Sequence, residues 1–508
     1  MEEAAAAAGG GSPSMSNVSI SSPSSPTHAA RALAALSAQT SNSHLSAESI
    51  CPVEIIDSLI DDFFTYIHPL CPFPHEPSFR EAWKRREDLH NSSFLALLSS
   101  MIAALVASFP RKPRQQLKNA RKEHMFPNHM SLVNRCQKVC AAARGPGYLE
   151  NENLNVYDAA TSYFLAVSGV YTYRWRQGRL YFGECLTIIR TLGLHKSKEQ
   201  SYSPSEGHGN DGESDQNEDC VAREMGRRIF WCLFVGIKSC SQFGADFSEL
   251  IMPPPTPTES HPPLPVEVDD YCIYPTHIEP QPEGVLPEIT GFNANVRVFM
   301  SYSALSTMEM AWGINSIVDW DRQRRVMFES LRRCKDAISE LPPQLVVNPM
   351  STSQQAMHGG VFPNFNGGGD SAALDPTQYM DIDQDPEQRR QRQFEIQKAN
   401  IYASSLATRS YIVQKYWNLC EARDRSRSGS RQNSPGTGIT QAGLDGLLPN
   451  APTSDYDLIE HEMKHERESI MKDLLTVLST IKEVHMEPNA DSFVRHPLHI
   501  YSPHKTSD

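Results

Sequence analysis

Residues 53–67 read VEIIDSLIDDFFTYI. Val53, Ile56, Ile60, Phe63, Phe64 and Ile67 recur at mostly three- and four-residue spacing, which places them on one face of an amphipathic helix. Asp57, Asp61 and Asp62 supply its polar side. The helix is broken at residues 68–79, HPLCPFPHEPSF, where four prolines impose an extended connector. Each proline lacks an amide hydrogen and restricts the residue before it. Further helical patterns cover 78–89, 92–109, 130–143, 153–173, 175–194, 222–243, 291–315 and 318–341. Strand-like alternation is nearly absent, so the expected fold is all-α, a multi-helix body. The run from Phe94 to Phe109 is interrupted by Ser99, Ser100 and Ser108. No apolar run reaches the roughly 18 residues of a membrane span, and this one reads as a buried helix.

Outside the helices the composition changes. Residues 1–48 are mostly Ala, Gly, Ser and Pro, too poor in apolar surface to offset chain entropy, and read as a disordered tail. The helical body is expected over 49–345, interrupted by an acidic loop at 197–219 and a proline-rich crossing at 251–290. A Gly/Asn/Asp-rich linker follows at 346–386, then a helix at 387–422. A Ser/Arg linker at 423–453 carries Arg423, Arg425, Arg427 and Arg431. A last helix is expected over 454–486, with Met471, Leu474, Leu475, Leu478 and Ile481 as its apolar stripe, and an irregular tail over 487–508.

With 47 basic and 60 acidic residues the 508-residue chain carries a formal charge of −13. That disfavours coating nucleic acid by bulk charge. Only 39% of residues are hydrophobic, below the roughly 45–50% of ordinary globular chains, in keeping with long disordered stretches. The 11 cysteines are scattered without a disulfide framework, pointing to free thiols in a reducing compartment. The amino-terminal 30 residues lack the basic start and apolar stretch of a secretory signal.

One catalytic pattern is present. His461, Glu462 and His465 match H-E-x-x-H, in which two histidines one helical turn apart grip Zn²⁺ and the glutamate activates water. The surrounding residues are charged on all sides, and Glu468 and Met471 stand where a metzincin has glycine and a third histidine. The match is read as chance, and a zinc metallohydrolase is the minor alternative. Cys136 and Cys140, four apart on a helix, lack two further donors and read as core residues. Phosphate-cradling loops and nucleophile elbows are absent from the sequence. No catalytic, cofactor-binding or metal-binding residue is therefore expected, and the chain is read as a non-enzyme. A weak basic patch, Arg111, Lys112, Arg114, Lys118, Arg121 and Lys122, suits an import signal or phosphate contact, or simply a solvated helix start.

Three segments carry a resemblance when taken in order. The first is Tyr163-Phe164-Leu165 followed by GRLYFGECLTIIRTLGLHK (178–196). The second is EMGRRIFWCLF (224–234), and the third is PPLPVEVDD (262–270). Together with the Pro-hydrophobic-Pro phrase of 68–79 they resemble the middle regulatory domain of fungal transcription factors of the xylanolytic-activator type, members of the binuclear zinc cluster family. The resemblance covers about residues 50–345. Ile237-Lys238 replaces an Asp-Arg common in that family, and Gly244-Ala245-Asp246 replaces a Gly-Arg-Pro.

Read from the residues, Phe230, Trp231 and Phe234 fill a helical core, and Arg227 and Arg228 pair with carboxylates such as Glu224. The resemblance implies a nuclear transcription regulator, shuttling with the cytoplasm as a variant, acting in carbon or secondary metabolism. Its implied partners are the transcription machinery or co-regulators, with no membrane and a homodimer compatible. Acidic segments 197–219 and 371–388, the latter with Tyr379, Met380 and Ile382 among aspartates, suit activation-type contacts.

Such factors read DNA through six cysteines that hold two Zn²⁺ and place a helix in the major groove. No two cysteines here are spaced C-x2-C. No cofactor is thus expected in this chain, and Zn²⁺ and direct DNA contact enter only through a missing amino-terminal segment or a partner. Truncation at both ends of the gene model is the accompanying expectation. A helical scaffold without a transcriptional role is the remaining alternative.

Overall fold

The computed structural model describes residues 45–195, 219–242, 250, 252, 254–258, 260–313, 317–347, 385–432 and 455–489. The helices all belong to one compact unit, Ser46–Asp508. They are α1 (Val53–Asp62), α2 (Glu76–Lys84), α3 (Ser92–Ser108), α4 (Arg111–Asn119), α5 (His129–Arg144), α6 (Val156–Tyr171), α7 (Trp175–Thr191) and α8 (Cys220–Gln242). Next come α9 (Ile289–Met300), α10 (Ser303–Trp312), α11 (Trp320–Ser339), α12 (Pro386–Gln432), α13 (Asp455–Thr480) and the short α14 (Glu483–Met486). Among the described residues there is no strand, only one isolated bridge between Ile273 and Ile278. The fold is all-α.

Local chemistry sets the helix starts. Asn91 accepts the amide of Phe94 at 3.1 Å to open α3. Asn128 accepts the amide of Ser131 at 2.9 Å to open α5, and Asp319 that of Arg322 at 3.0 Å to open α11. Such caps satisfy amides that have no partner within the helix. The α1 helix runs on as a π turn, Phe63–Ile67, before the prolines end it. The pattern expected at 291–315 divides into α9 and α10, with Ser301 and Tyr302 between them.

α3 is the central element, buried from Phe94 through Ser108 between α5 and α6. Its serines do not expose a polar face. Ser99 and Ser108 donate to the carbonyls of Leu95 and Ala104 one turn back, at 2.6 and 2.8 Å, and Ser100 donates to Leu97 at 2.8 Å. Helix α6 packs on α3 and α7, and α8 closes over both α6 and α7. An aromatic cluster ties the proline connector into this layer. Phe164 of α6 lies 5.3 Å from the Phe63 ring and 4.8 Å from the Phe73 ring, and Phe64 lies 5.6 Å from Phe79.

A second layer is built by α9, α11 and α12 around Ala294, Val298, Cys334, Phe394 and Ile401. Helix α12 does not stop at residue 422 but continues to Gln432. Arg425 is within 3.9 Å of Glu421 one turn earlier, and the Arg423 guanidinium sits 4.2 Å from the centre of the Trp320 ring. These contacts carry the helix into the stretch expected to be a linker.

The stripe expected on the last helix is displaced. Leu475 and Leu478 are exposed, and the buried positions are Ile459, Met463, Glu466, Ile470, Leu474, Val477 and Ile481. Glu466 is drawn inward because Arg409 of α12 donates to it at 2.5 Å and Lys335 of α11 at 3.0 Å. The tail 1–44, most of the acidic loop, Gly244-Ala245-Asp246, residues 348–384 with Tyr379, Met380 and Ile382, and 433–454 and 490–508 lie outside the described residues.

Candidate functional site

The segments that carry the family resemblance meet. In α8, Arg228 is almost wholly buried and its guanidinium reaches three ways. It donates to Glu224 Oε1 one turn back at 3.3 Å, to the Pro72 carbonyl at 3.0 Å and to Asp270 Oδ1 at 2.5 Å. Arg227 takes the other Glu224 oxygen at 2.8 Å. The pairing of both arginines with Glu224 is as the spacing predicts. Glu224 also accepts the amide of Val266 at 3.0 Å, and Trp231 Nε1 donates to the Pro263 carbonyl at 3.0 Å. The proline-rich crossing is thereby strapped along α8. Gly226 lets Leu194, of the Leu-Gly-Leu-His turn that ends α7, pack close: a Cβ there would stand 2.6 Å from Leu194 Cδ2, so that side chain would have to shift.

Asp270 is the hub. Its Oδ2 accepts the amide of Glu76 at 2.8 Å, and its carbonyl accepts His75 Nε2 at 2.7 Å. His68 Nε2 lies 3.6 Å from Asp270 Oδ2 and 3.2 Å from the Pro74 carbonyl. Burial works to raise the Asp270 carboxyl, yet Arg228 and the two histidines hold it down at about 2. Burial keeps His68 below its usual value, against the pull of Asp270.

The neighbouring Asp269 faces a different element. Its Oδ1 accepts the amide of Glu288 at 2.7 Å, and its Oδ2 accepts Gln281 Nε2 at 2.7 Å and Arg390 Nη2 of α12 at 2.8 Å. Arg390 also donates to the Leu286 carbonyl. Arg389 forks onto both oxygens of Glu76, at 2.9 and 2.8 Å. Gln393 Nε2 donates to the Phe64 carbonyl at 3.1 Å. Gln397 Nε2 donates to the carbonyls of Pro69 and Glu288 at 3.1 and 2.7 Å. Burial, then Asp269, pushes the Glu288 carboxyl up to about 7.

These groups enclose a polar cavity of about 350 Å³ between the proline connector, α8 and the start of α12. Two buried hydrogen-bond groups on its walls, Gln397 Oε1 and Arg389 Nε, have no protein partner. A site with fixed cations, fixed anions, an unpartnered acceptor and an unpartnered donor suits a small polar molecule carrying both kinds of group. Arg228 and Glu224 were legible in the sequence. The α12 residues were missed, because α12 begins nearly a hundred residues beyond the end of the proline crossing and no local pattern links them.

The other singled-out residues lie elsewhere. His461 and His465 are exposed on α13, with Glu462 half-buried, and the buried residues of that turn are Met463 and Glu466. Among the described residues no group of three or more His, Cys, Asp or Glu side chains is placed to hold a metal. Cys136 and Cys140 are buried on α5, and burial pushes the Cys140 thiol up to about 12. Lys238, the departure from the family's Asp-Arg, lies 4.4 Å from the Tyr302 ring centre, and burial lowers its ammonium to about 8. Arg111, Lys112, Arg114 and Lys118 gather on α4, while Arg121 and Lys122 lie past its end.

No curated protein and no solved structure matches the chain. Residues 60–276, which include the proline connector, α8, Asp269 and Asp270, match the family model described as the fungal specific transcription factor domain, and over that stretch the chain is similar to it.

Proposed function

We propose that the chain is the regulatory body of a fungal-type transcription regulator, working in the nucleus and acting on genes of carbon or secondary metabolism. The observation that carries this reading is the match over 60–276. The family is non-enzymatic in general, and the regulatory output is a change of partner contacts rather than a reaction. His68, Glu76, Arg228, Asp269 and Asp270 lie inside the matched region, whereas Glu288, Arg389, Arg390, Gln393 and Gln397 lie beyond it. The polar seam therefore joins the domain to the carboxy-terminal helices. A small polar effector seated there alters how firmly α12 is held, and α12 carries α13 with it. Co-regulators or the transcription machinery read that state. DNA contact comes through a zinc-cluster segment or a partner protein.

The test is a reporter assay. The full chain is fused to a heterologous DNA-binding domain and expressed in a fungal host across carbon and nitrogen sources. Reporter output that changes with nutrient supports the reading. A stable nuclear fusion that leaves the reporter at background in every condition overturns it.

A further inference from the structure

A second cavity, separate from the seam, opens along α4 with a volume of about 670 Å³. Its size falls in the range of small-molecule sites, roughly 300–1,000 Å³. Arg111, Arg114 and Lys118 are spaced three and four apart, so one stripe of α4 faces the cavity, and Gln115 and Asn119 add amide donors beside them. Lys112 is different. Its side chain is buried, 3.9 Å from Asp62 Oδ1 and 5.6 Å from the centre of the Tyr66 ring. Tyr66 and Phe109, themselves buried with rings 5.0 Å apart, form the apolar floor. Arg392 of α12, which is not part of the lining, donates to the Tyr66 hydroxyl at 3.0 Å.

The opposing carboxylates are fewer. Glu123 lines the cavity, Glu487 pairs with Arg111 at 2.6 Å, and Asp62 is engaged by Lys112 and by Gln116 Nε2 at 3.1 Å. Arg114 and Lys118 make no ion pair among the described residues. In a chain of net charge −13, the lining holds four cations, Arg111, Lys112, Arg114 and Lys118, against one carboxylate, Glu123, with Glu487 and Asp62 beside Arg111 and Lys112, which is a local reversal of sign. A buried ammonium on an aromatic floor, ringed by exposed guanidinium and ammonium groups, has the donor set of an anion site.

We propose that this cavity binds a phosphorylated small molecule with at least two negative charges, its phosphate oxygens held by Arg114, Lys118 and Lys112 and its body resting over Tyr66 and Phe109. Phosphate suits the site better than a single carboxylate because it offers several acceptor oxygens to guanidinium and ammonium groups on more than one side.

Calorimetric titration of the full chain with inorganic pyrophosphate tests this, with citrate and a short DNA duplex as parallel titrants. The expected result is saturable one-to-one pyrophosphate binding. The R114E/K118E variant, changed only at exposed positions, is expected to weaken it by at least about tenfold, as loss of two charge-assisted contacts implies, with an unchanged thermal unfolding midpoint. A second variant, R121E/K122E, lies outside the cavity and is expected to bind as the wild type does. Pyrophosphate binding that is absent, or equal in all three proteins, overturns the proposal. So does tight citrate binding without pyrophosphate, which assigns a polycarboxylate. Duplex binding that R114E/K118E abolishes while pyrophosphate fails assigns a nucleic-acid surface instead.

Discussion

Arg228 stands between the buried carboxylate of Glu224 and the largely buried one of Asp270, and each depends on it. Removing a buried partner leaves an uncompensated charge, so R228M is expected to lower stability by about 3–5 kcal/mol, measured as a shift in denaturant midpoint at constant slope. Gln397 makes a sharper steric prediction. A Cβ at Gly291 would stand 2.2 Å from Gln397 Oε1, so G291A must expel that side chain from the carbonyls of Pro69 and Glu288. The expected cost is about 1–3 kcal/mol for buried groups left unpaired. Protonation within the seam has a definite sign. Glu288, facing Asp269, Glu76, Arg389 and Arg390, is raised from 4.5 to about 7. A raised carboxyl binds its proton more tightly in the folded state, so this group's contribution is full below 4.5 and is lost as pH rises through 7. The advantage of E288Q over the wild type in unfolding midpoint should thus be greater at pH 8 than at pH 5. Asp270 runs the other way: lowered from 3.8 to about 2, it stabilises above 3.8 and loses that contribution as pH falls through 2.

Among the elements, α12 and α13 show how a helix can be legible while its face is not. The spacing of Phe394, Ile401, Tyr402, Leu406, Ile412, Tyr416 and Leu419 predicts one broad apolar face for α12, and all of them are buried except Tyr402, which is half-buried. On α13 the apolar residues Leu475 and Leu478 face outward, while the charged Glu466 faces inward to Arg409. Residue type alone assigns Glu466 to solvent. Its burial is decided by a guanidinium on another helix, 57 positions away, and single-sequence periodicity contains no term for that. The expected consequence is that E466A, read by chemical denaturation, costs about 3–5 kcal/mol, whereas L475A on the same helix changes stability by less than about 0.5 kcal/mol. In the first layer the reading was easier. Asn91 and Asn128 cap their own helices, and the serines of α3 bond to carbonyls three or four residues earlier, so the information is local. The end of α12 was misplaced for the converse reason: its Arg- and Ser-rich composition resembles a linker, and the Trp320 ring that receives Arg423 belongs to α11.

For the whole molecule, the proline-rich segments that read as interruptions are what connect its parts. The connector at 68–79 supplies His68, His75 and Glu76, and the crossing supplies Asp269 and Asp270. Between them they fasten α8 on one side and α12 on the other. The family resemblance was legible because each of its phrases is a short contiguous run of sequence and the phrases keep their order. The half of the seam contributed by α12 was not, because it is assembled only by folding. The central claim is that this seam transmits the regulatory state from the matched domain to the carboxy-terminal helices. Its most direct test is the reporter fusion carrying R389E/R390E, compared with the same fusion carrying R390E together with D269R, which restores one pair. The account predicts that the first variant holds the reporter at one level in all nutrients at unchanged protein abundance, and that the second regains nutrient dependence at least in part. A nutrient response in R389E/R390E equal to that of the wild type would contradict it.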